Sequence, residues 1–384
     1  MFFIKSIIII LILFLIIDLY IYLKPKSKLK IFPIKYNLLT LNKQNEIRCE
    51  FEITNISKRK ETMIPNLNIE LDFFKNGKLS DLNYEKEMII KFDKYQKRII
   101  NYWPTLILKS NATLKIFLKI KLKKTFLNSE DFLGLKINWD NYGHFGKINK
   151  QDFFLLNKHT KYQNLNDIKP KNINHALEVL PVKTSLLSAF DEPVETVINY
   201  CKNLVKEDDI LVIGESPLAI MQGRYENYLN VEYSIFSKFL CYFFHPTSSL
   251  ATASGMQILI NKLGFTRIII SLIFGFIFKF IGIKGIFYRL TNPESSLIDD
   301  ISGTIMPYDK TIVLGPYNPK LFCKKLSKAL KIDVAVADVN DLGGVKILAS
   351  SNKSIIKLLK IALKKNPAGN ADEKTPIVIV RRKA

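Results

Sequence analysis

Residues Ile7 to Ile17 form an unbroken apolar run. With Phe2, Phe3 and Leu19 to Leu23 the run reaches the roughly 20 residues that a bilayer span requires. Asp18 is the one acid inside it, close enough to the far end to reach headgroups, and Tyr20 and Tyr22 stand where an interfacial aromatic belt belongs. Lys24, Lys26, Lys28, Lys30 and Lys35 follow at once, against Lys5 and the amino terminus before it. The positive-inside rule then places the C-terminal bulk in the cytoplasm, behind a single-pass anchor over residues 1–24. A cleaved signal peptide is the rival reading. The length of the run argues against it, as does Lys-Pro-Lys-Ser-Lys where a small-x-small cleavage site would stand.

From Glu46 to about Leu156 the pattern has period two. Ile47, Cys49, Phe51 and Ile53 alternate with Arg48, Glu50 and Glu52, and Leu67, Ile69, Leu71 and Phe73 alternate with Asn68, Glu70 and Asp72. Leu118, Ile120 and Leu122 alternate with Lys119, Lys121 and Lys123, and Leu133, Leu135, Ile137 and Trp139 close the series. Half-buried strands of this spacing, with Asn76–Gly77 as a turn signal, predict an all-β antiparallel sandwich over 31–157. The Lys119–Lys123 row reads as a solvated face or as one turned to anionic lipid. His144 and His159 have no partner at ligand spacing. Residues 158–174 are polar and read as a linker.

From His175 the texture becomes alternating strand and helix. Strands are predicted at Ala176–Val182, Asp209–Gly214, Thr311–Gly315, Asp333–Asp338 and Ile377–Val380, and helices at Pro193–Val205, Pro319–Leu330 and Ser351–Lys364. Residues 175–384 are therefore expected to form an α/β domain. A second apolar stretch, Ile268 to Phe280 and on to Tyr288, is broken by Lys279, Gly282, Lys284 and Gly285. It is short for a span, and reads equally as a buried helix or as an interfacial hairpin.

Composition narrows this picture. At 384 residues the chain holds two or three domains, and 48% hydrophobic with 24% charged residues excludes general disorder. The net charge of +22 is spread along the chain, and no zinc finger, RNP motif or basic heptad region accompanies it, so nucleic acid is not an expected partner. Cys49, Cys201, Cys241 and Cys323 are far apart without a CxxC pair, which excludes a disulfide scaffold and the common cysteine zinc sites.

Four motifs of the α/β part, in order, carry a resemblance. They are Asp209-Ile-Leu-Val-Ile-Gly-Glu-Ser-Pro-Leu-Ala-Ile-Met-Gln-Gly-Arg224, Leu297-Ile-Asp-Asp-Ile-Ser-Gly303, Gly315-Pro-Tyr-Asn-Pro319, and Ala337-Asp338 after the strand Val334–Val336. Over roughly residues 175–384 the chain resembles the coenzyme F420-0:L-glutamate (gamma-glutamyl) ligase family, in particular its divergent cyanobacterial membrane-anchored branch. The resemblance implies an unusual α/β fold in intertwined dimers, and GTP-dependent acid–amine ligation through an acyl phosphate with Mg²⁺ or Mn²⁺. Ser216 and Ile220 stand where the family usually has lysines, Gln222 where it has Glu, and Asn340-Asp341-Leu342-Gly343-Gly344 where it has a Gly-Arg-Pro-Trp-Arg loop.

On this basis Asp338, Asp299 and Glu215 are the metal-ligand candidates. Asp338 also reads as a turn acid, Glu215 as one half of a loop salt bridge, and only one of Asp299 and Asp300 can reach a site from a strand. Arg224 with Gly223 is a phosphate candidate against a structural ion pair. Ser248 and Ser249, with Thr247, offer phosphate donors against plain helix capping. Asp341 and Gly343 are substrate candidates against a simple turn, His245 reads as a packed histidine, and the acids of the Asn366–Glu373 loop read either as substrate contacts or as part of a surface loop. No catalytic residue is assigned. The expected function is membrane-anchored glutamyl-type ligation on a small carboxylate, with ATP or GTP as co-substrate. The alternatives are a non-catalytic scaffold that binds a nucleotide or metabolite, and an extracytoplasmic binding protein.

Overall fold

The computed structural model describes residues 2–23, 27–41, 44–76, 78–81, 83–92, 96–100, 103–122, 131–144, 146–157, 167–245, 248–283, 285–291, 297–299, 308–369 and 373–383. Helix α1 (Phe2–Leu23) is followed by β1 (Leu29–Leu41), β2 (Gln44–Asn55), β3 (Thr62–Ile64), β4 (Leu67–Lys75), β5 (Lys78–Ser80) and β6 (Tyr84–Phe92). Then come β7 (Gln96–Ile100), β8 (Leu106–Leu108), β9 (Thr113–Leu122), β10 (Phe132–Gly143) and β11 (Gly146–Asn157).

These strands make two sheets, β1-β2-β9-β6-β7 and β5-β4-β10-β3-β8, with β11 also paired to β10. The inward positions of β2, β4, β9 and β10, such as Phe51, Ile69, Ile116 and Leu135, fill one core between them. The outward positions are charged in matching pairs: Lys115 lies 3.0 Å from Glu52 and Lys119 lies 3.3 Å from Glu46. The lysine row of β9 is thus balanced by cross-strand acids, and Lys123 lies outside the described residues. So does Gly77 of the expected turn, although Lys75 and Lys78 pair across that hairpin. The sandwich begins earlier than its alternation suggests, because β1 pairs with β2 from Leu29 opposite Asn55.

The second unit contains β12 (Lys171–Asn172), β13 (Leu177–Val182), α2 (Pro193–Cys201), β14 (Ile210–Gly214), α3 (Glu215–Met221), β15 (Tyr225–Asn227), α4 (Ile235–Leu240), α5 (Ala253–Leu263), α6 (Phe265–Phe280) and α7 (Ile286–Thr291). It ends with β16 (Thr311–Val313), α8 (Pro319–Leu330), β17 (Asp333–Val339), β18 (Val345–Ser350), α9 (Ile356–Ala362) and β19 (Ile377–Arg382). The main sheet has the order β12-β13-β19-β14-β17-β18, in which β14 and β17 are parallel. Leu211, Ile213, Val334 and Val336 face α2 and α8, whereas Ile210, Val212, Ala335 and Ala337 face α9. Helices on both faces explain why these strands are apolar throughout rather than alternating.

One expectation is corrected here. The polar stretch before His175 is not all linker, since Lys171 and Asn172 pair with Val179 and Glu178; residues 158–166 lie outside the described residues. Asp18 has a partner within the protein that its place in the apolar run does not announce. Its Oδ1 accepts the backbone N–H groups of Phe265 and Thr266, at 2.8 and 3.2 Å, and so caps α6 from another helix. The cap is needed because the turn before α6 ends in Gly264, which has φ +86° and no side-chain acceptor to offer.

The apolar stretch from Ile268 is not a wholly buried helix either. Phe265, Ile268 and Ser271 are the buried positions of α6, and much of the remainder is exposed. Among the residues whose side chains are described, no single helix is long and apolar enough to cross a membrane. The pair α5–α6 meets that length and composition together, bent by 112°.

Candidate functional site

Three chain segments bring acids to one edge of the main sheet. Ile210 lies opposite Asp333 and Gly214 opposite Ala337, so β14 and β17 deliver their C-terminal ends side by side. That edge is where open α/β sheets place ligands. β14 turns into α3 at Gly214, where an added Cβ would stand 3.2 Å from Pro217 Cδ. The next residue, Glu215, opens α3 and is buried. Asp338 is half-buried near the end of β17, with Lys346 of β18 as its cross-strand neighbour. Asp299 arrives separately. Its backbone exchanges two 2.9 Å hydrogen bonds with Val313, and Ser216 Oγ donates to its Oδ2 at 2.5 Å.

Glu215, Ser216, Asp299, Asp338 and Asp341 line one cavity of about 670 Å³, together with Thr184, Ser185, Ser249, Asn340, Asn366 and Lys374. Burial pushes the Glu215 carboxyl up to about 9, and the negative charges of Asp338 and Asp299 add to this while Lys346 opposes it. Burial also raises Asp338, with Asp299 adding and Lys346 opposing. Asp299 is raised by its surroundings against the hydrogen bond from Ser216. Burial and the neighbouring acids thus favour the protonated forms of Glu215 and Asp338, and burial does the same for Asp299. Their oxygens are the hard donors that Mg²⁺ or Mn²⁺ prefers, so the donor set suits such an ion chemically. As placed, however, no three Asp, Glu, His or Cys side chains among the described residues are grouped closely enough to hold a metal.

The remaining candidates divide. Ser249 lines the cavity, and so does Asp341, whose Oδ1 accepts from Asn366 Nδ2 at 2.8 Å. Gly223, Arg224, Ser248 and Gly343 are absent from the lining. Gly223, with φ +64°, closes the turn after α3, and Arg224 Nε donates to the carbonyl of Gly315. Ser248 caps the short turn that begins at Ser249, through Leu250 N at 3.3 Å. Gly343, with φ +83°, completes the tight turn that Asn340 stabilises by accepting from Gly344 N at 2.8 Å. Thr247, Asp300 and Asp372 lie outside the described residues.

Two cations of the site escape sequence reasoning. Lys374 lines the cavity with φ +54°, and its carbonyl accepts from Thr184 N at 2.8 Å. Lys346 reaches the acids only because β18 folds back beside β17, and β18 has no clear alternation to announce it. The positions that depart from the family pattern also have local partners. Ser216 holds Asp299, and Gln222 clamps Tyr317 by donating to its carbonyl at 3.0 Å and accepting from its N–H at 2.6 Å. Ile220 is buried against the sandwich, in a cluster with Phe74, Phe132 and Tyr308.

No curated protein matches the chain. Solved structures give distant likenesses. AvmM, which catalyses macrocyclisation in alchivemycin A biosynthesis, is 10% identical over 35% of this chain and 90% of its own, at a TM-score of 0.22. The PapD-like domain 7 of human CEP192 is 10% identical over 35% and 89%, at 0.17. A family 123 glycoside hydrolase from Clostridium perfringens is 14% identical over 34% and 28%, at 0.19. At such scores these likenesses carry no functional argument. Residues 30–160 match the family model described as the F420-0:gamma-glutamyl ligase N-terminal Ig-like domain, and this similarity supports the family that the motifs of the α/β unit resemble.

Proposed function

We propose that the chain is a membrane-anchored member of the F420-0:gamma-glutamyl ligase family. In this reading it joins an amine, of the kind glutamate carries, to a small carboxylate acceptor at the expense of ATP or GTP. The observation that carries it is the convergence of Glu215, Asp299 and Asp338 in one cavity at the ends of two parallel strands. In the reaction an oxygen of the acceptor carboxylate bonds to the γ-phosphorus as the bond to the β-phosphate oxygen breaks, releasing nucleoside diphosphate. The amine then attacks the acyl carbon, the C–N bond forms, and inorganic phosphate leaves with the electrons of the C–O bond. Asp338, Asp299 and Glu215 would hold a Mg²⁺ or Mn²⁺ ion only on drawing closer together than they stand, and such an ion would neutralise triphosphate charge. Lys374, and Lys346 beyond Asp338, supply positive charge to the phosphates from the protein itself. In this reading a carboxylate of the trio takes the proton that the amine sheds.

α1 is the anchor in this reading, with the C-terminal bulk cytoplasmic, supported by the lysines after Leu23. One observation favours a second reading. Ser216 and Ile220 occupy positions where the family has lysines, and both are engaged in structural contacts. A scaffold that binds a nucleotide without turnover follows from that.

Calorimetric titration of the full chain in detergent with GTP and with ATP, each with and without Mn²⁺, tests both. Divalent-dependent nucleotide binding is expected, weakened by Asp338→Asn by about 10–100-fold, by analogy with losses on disturbing a metal's supporting groups. Nucleotide binding that ignores both Mn²⁺ and Asp338→Asn would remove the ligase reading. Binding with no release of phosphate in the presence of any amino acid would leave the scaffold.

A further inference from the structure

The stretch between the sandwich-facing strand β15 and the return to β16 is peculiar in charge and surface. From Tyr233 to Pro293 the sequence holds Lys238, Lys262, Arg267, Lys279, Lys284 and Arg289 and not one Asp or Glu. In the same stretch large apolar side chains face outward. Phe280 is 90% exposed, Tyr242 85% and Ile235 84%. They do not stand singly. Phe239 meets Phe243 at 5.3 Å between ring centroids, and Phe243 meets Phe276 of α6 at 5.9 Å, all three exposed. The apolar side of α6 continues this patch through Ile273 and Ile277, each about half exposed. A contiguous apolar surface of this kind marks an interaction site.

The same unit is fastened to α1. Asp18 caps α6, the Phe14 ring lies edge-on to Phe265 at 6.1 Å, and Phe265 packs on Phe236 at 4.5 Å. Ile12, Leu13 and Ile16 of α1 are exposed in turn. A groove of about 700 Å³ runs along α6, lined among others by Ile270, Phe274, Phe278 and Leu290, with Asp18 and Arg267 contributing its polar lining.

We propose that α4, α6 and α7 join α1 in a single bilayer-embedded platform, with α6 lying in the acyl region of one leaflet and its basic residues at anionic headgroups. The occupant of the exposed face is an anionic phospholipid bilayer, whose acyl chains fill the groove along α6. Charge decides between this and a second copy of the chain. Two such faces would bring like charges together with no acid from the same stretch to compensate, whereas anionic headgroups attract each Lys or Arg near the surface. The proposal rests on the reading of α1 as an anchor, and it adds that the anchor is one part of a larger membrane-bound surface.

Spin labels test it in the full chain. The native cysteines are all buried, so single cysteines introduced by Ile273→Cys and Ile277→Cys can be labelled selectively. Leu13→Cys on α1 reports the anchor, and Leu342→Cys, at a 92% exposed turn residue, reports water. The labelled chains are reconstituted into vesicles of phosphatidylcholine with phosphatidylglycerol. Collision rates with oxygen and with a neutral nickel chelate are then measured. Positions 273 and 277 should favour oxygen over nickel several-fold more than position 342 does, as position 13 should. Nickel access at 273 and 277 equal to that at 342 overturns the platform, and if position 13 keeps its preference for oxygen the anchor reading survives. Low access to both reagents at 273 and 277 means a protein covers the face, a second copy included, and also overturns it. A nickel-accessible position 13 removes the anchor and the platform together.

Discussion

At the scale of single residues, position decides whether an acid is chemistry or scaffold. Asp209 and Glu215 bracket the same strand, β14. Asp209 is 2% exposed and accepts from Arg381 through both of its oxygens, at 2.9 and 2.7 Å. Its charge is therefore neutralised at the start of the strand. Glu215, at the other end, lies among the further acids Asp338 and Asp299, with Lys346 as an opposing charge. Arg381→Met should leave Asp209 buried without its counter-charge and destabilise the chain by about 3–5 kcal/mol. A melting curve of the detergent-solubilised protein checks this, and a change within error would show that water reaches Asp209. In the sequence, Glu215 and Asp338 were legible because each follows a short apolar strand. Asp299 was legible only through the family motif, since its approach depends on a single bridge to Val313. The phosphate role of Arg224 was inferred from its place after Gly223. Its Nε donates to the carbonyl of Gly315, a contact 91 residues away that no local pattern encodes.

At the scale of elements, periodicity was informative wherever one face of an element meets one core. The sandwich strands and the helix Pro319–Leu330 stand where their patterns put them. The pattern fails where packing is shared between distant elements. Helix α6 looks self-sufficient in sequence, yet its first N–H groups depend on Asp18, 247 positions before Phe265. Asp18→Ala removes that acceptor and should cost about 0.5–2 kcal/mol, the usual loss for a helix cap. Asp18→Asn, which retains an acceptor oxygen, should cost less. Hydrogen exchange at the amides of Phe265 and Thr266 gives the specific readout, and only the alanine variant should exchange faster. Equal exchange in all three proteins would show that the first turn of α6 finds another acceptor or is solvated.

At the scale of the whole molecule, the sandwich packs against the α/β unit beside the site, through a cluster that includes Phe74, Phe132 and Tyr308. β11 meets β15 through Tyr225, whose hydroxyl donates to the carbonyl of Phe153 at 3.0 Å, and Lys150 lies 3.4 Å from Glu226. Tyr308, which lines the cavity, also belongs to the apolar cluster between the units, so the cavity wall and the interface share a side chain. Asp152 sits beside this contact and accepts from Trp139 Nε1 at 2.6 Å. Burial pushes its carboxyl up to about 6, with Glu226 adding, while Trp139 and Lys150 oppose the rise. A carboxyl whose folded value exceeds its unfolded value near 3.9 binds its proton more tightly in the native state. The stability it contributes is therefore complete below about pH 4 and is lost as pH rises through about 6. Asp152→Asn keeps an acceptor for Trp139 and carries no charge, so it escapes that loss. The variant should match the parent near pH 4 and exceed it at pH 7 by on the order of 2 kcal/mol. Melting curves of both proteins across this range would show the two diverging between pH 4 and 7. A parent at least as stable as the variant at pH 7 would mean that Asp152 ionises within the interface without penalty, and a gain of the same size at pH 4 and at pH 7 would mean that the gain does not come from its proton. In either case the contact between the sandwich and the α/β unit would rest on the apolar cluster, the Tyr225 hydrogen bond and the Lys150–Glu226 pair, with no part taken by the proton of Asp152.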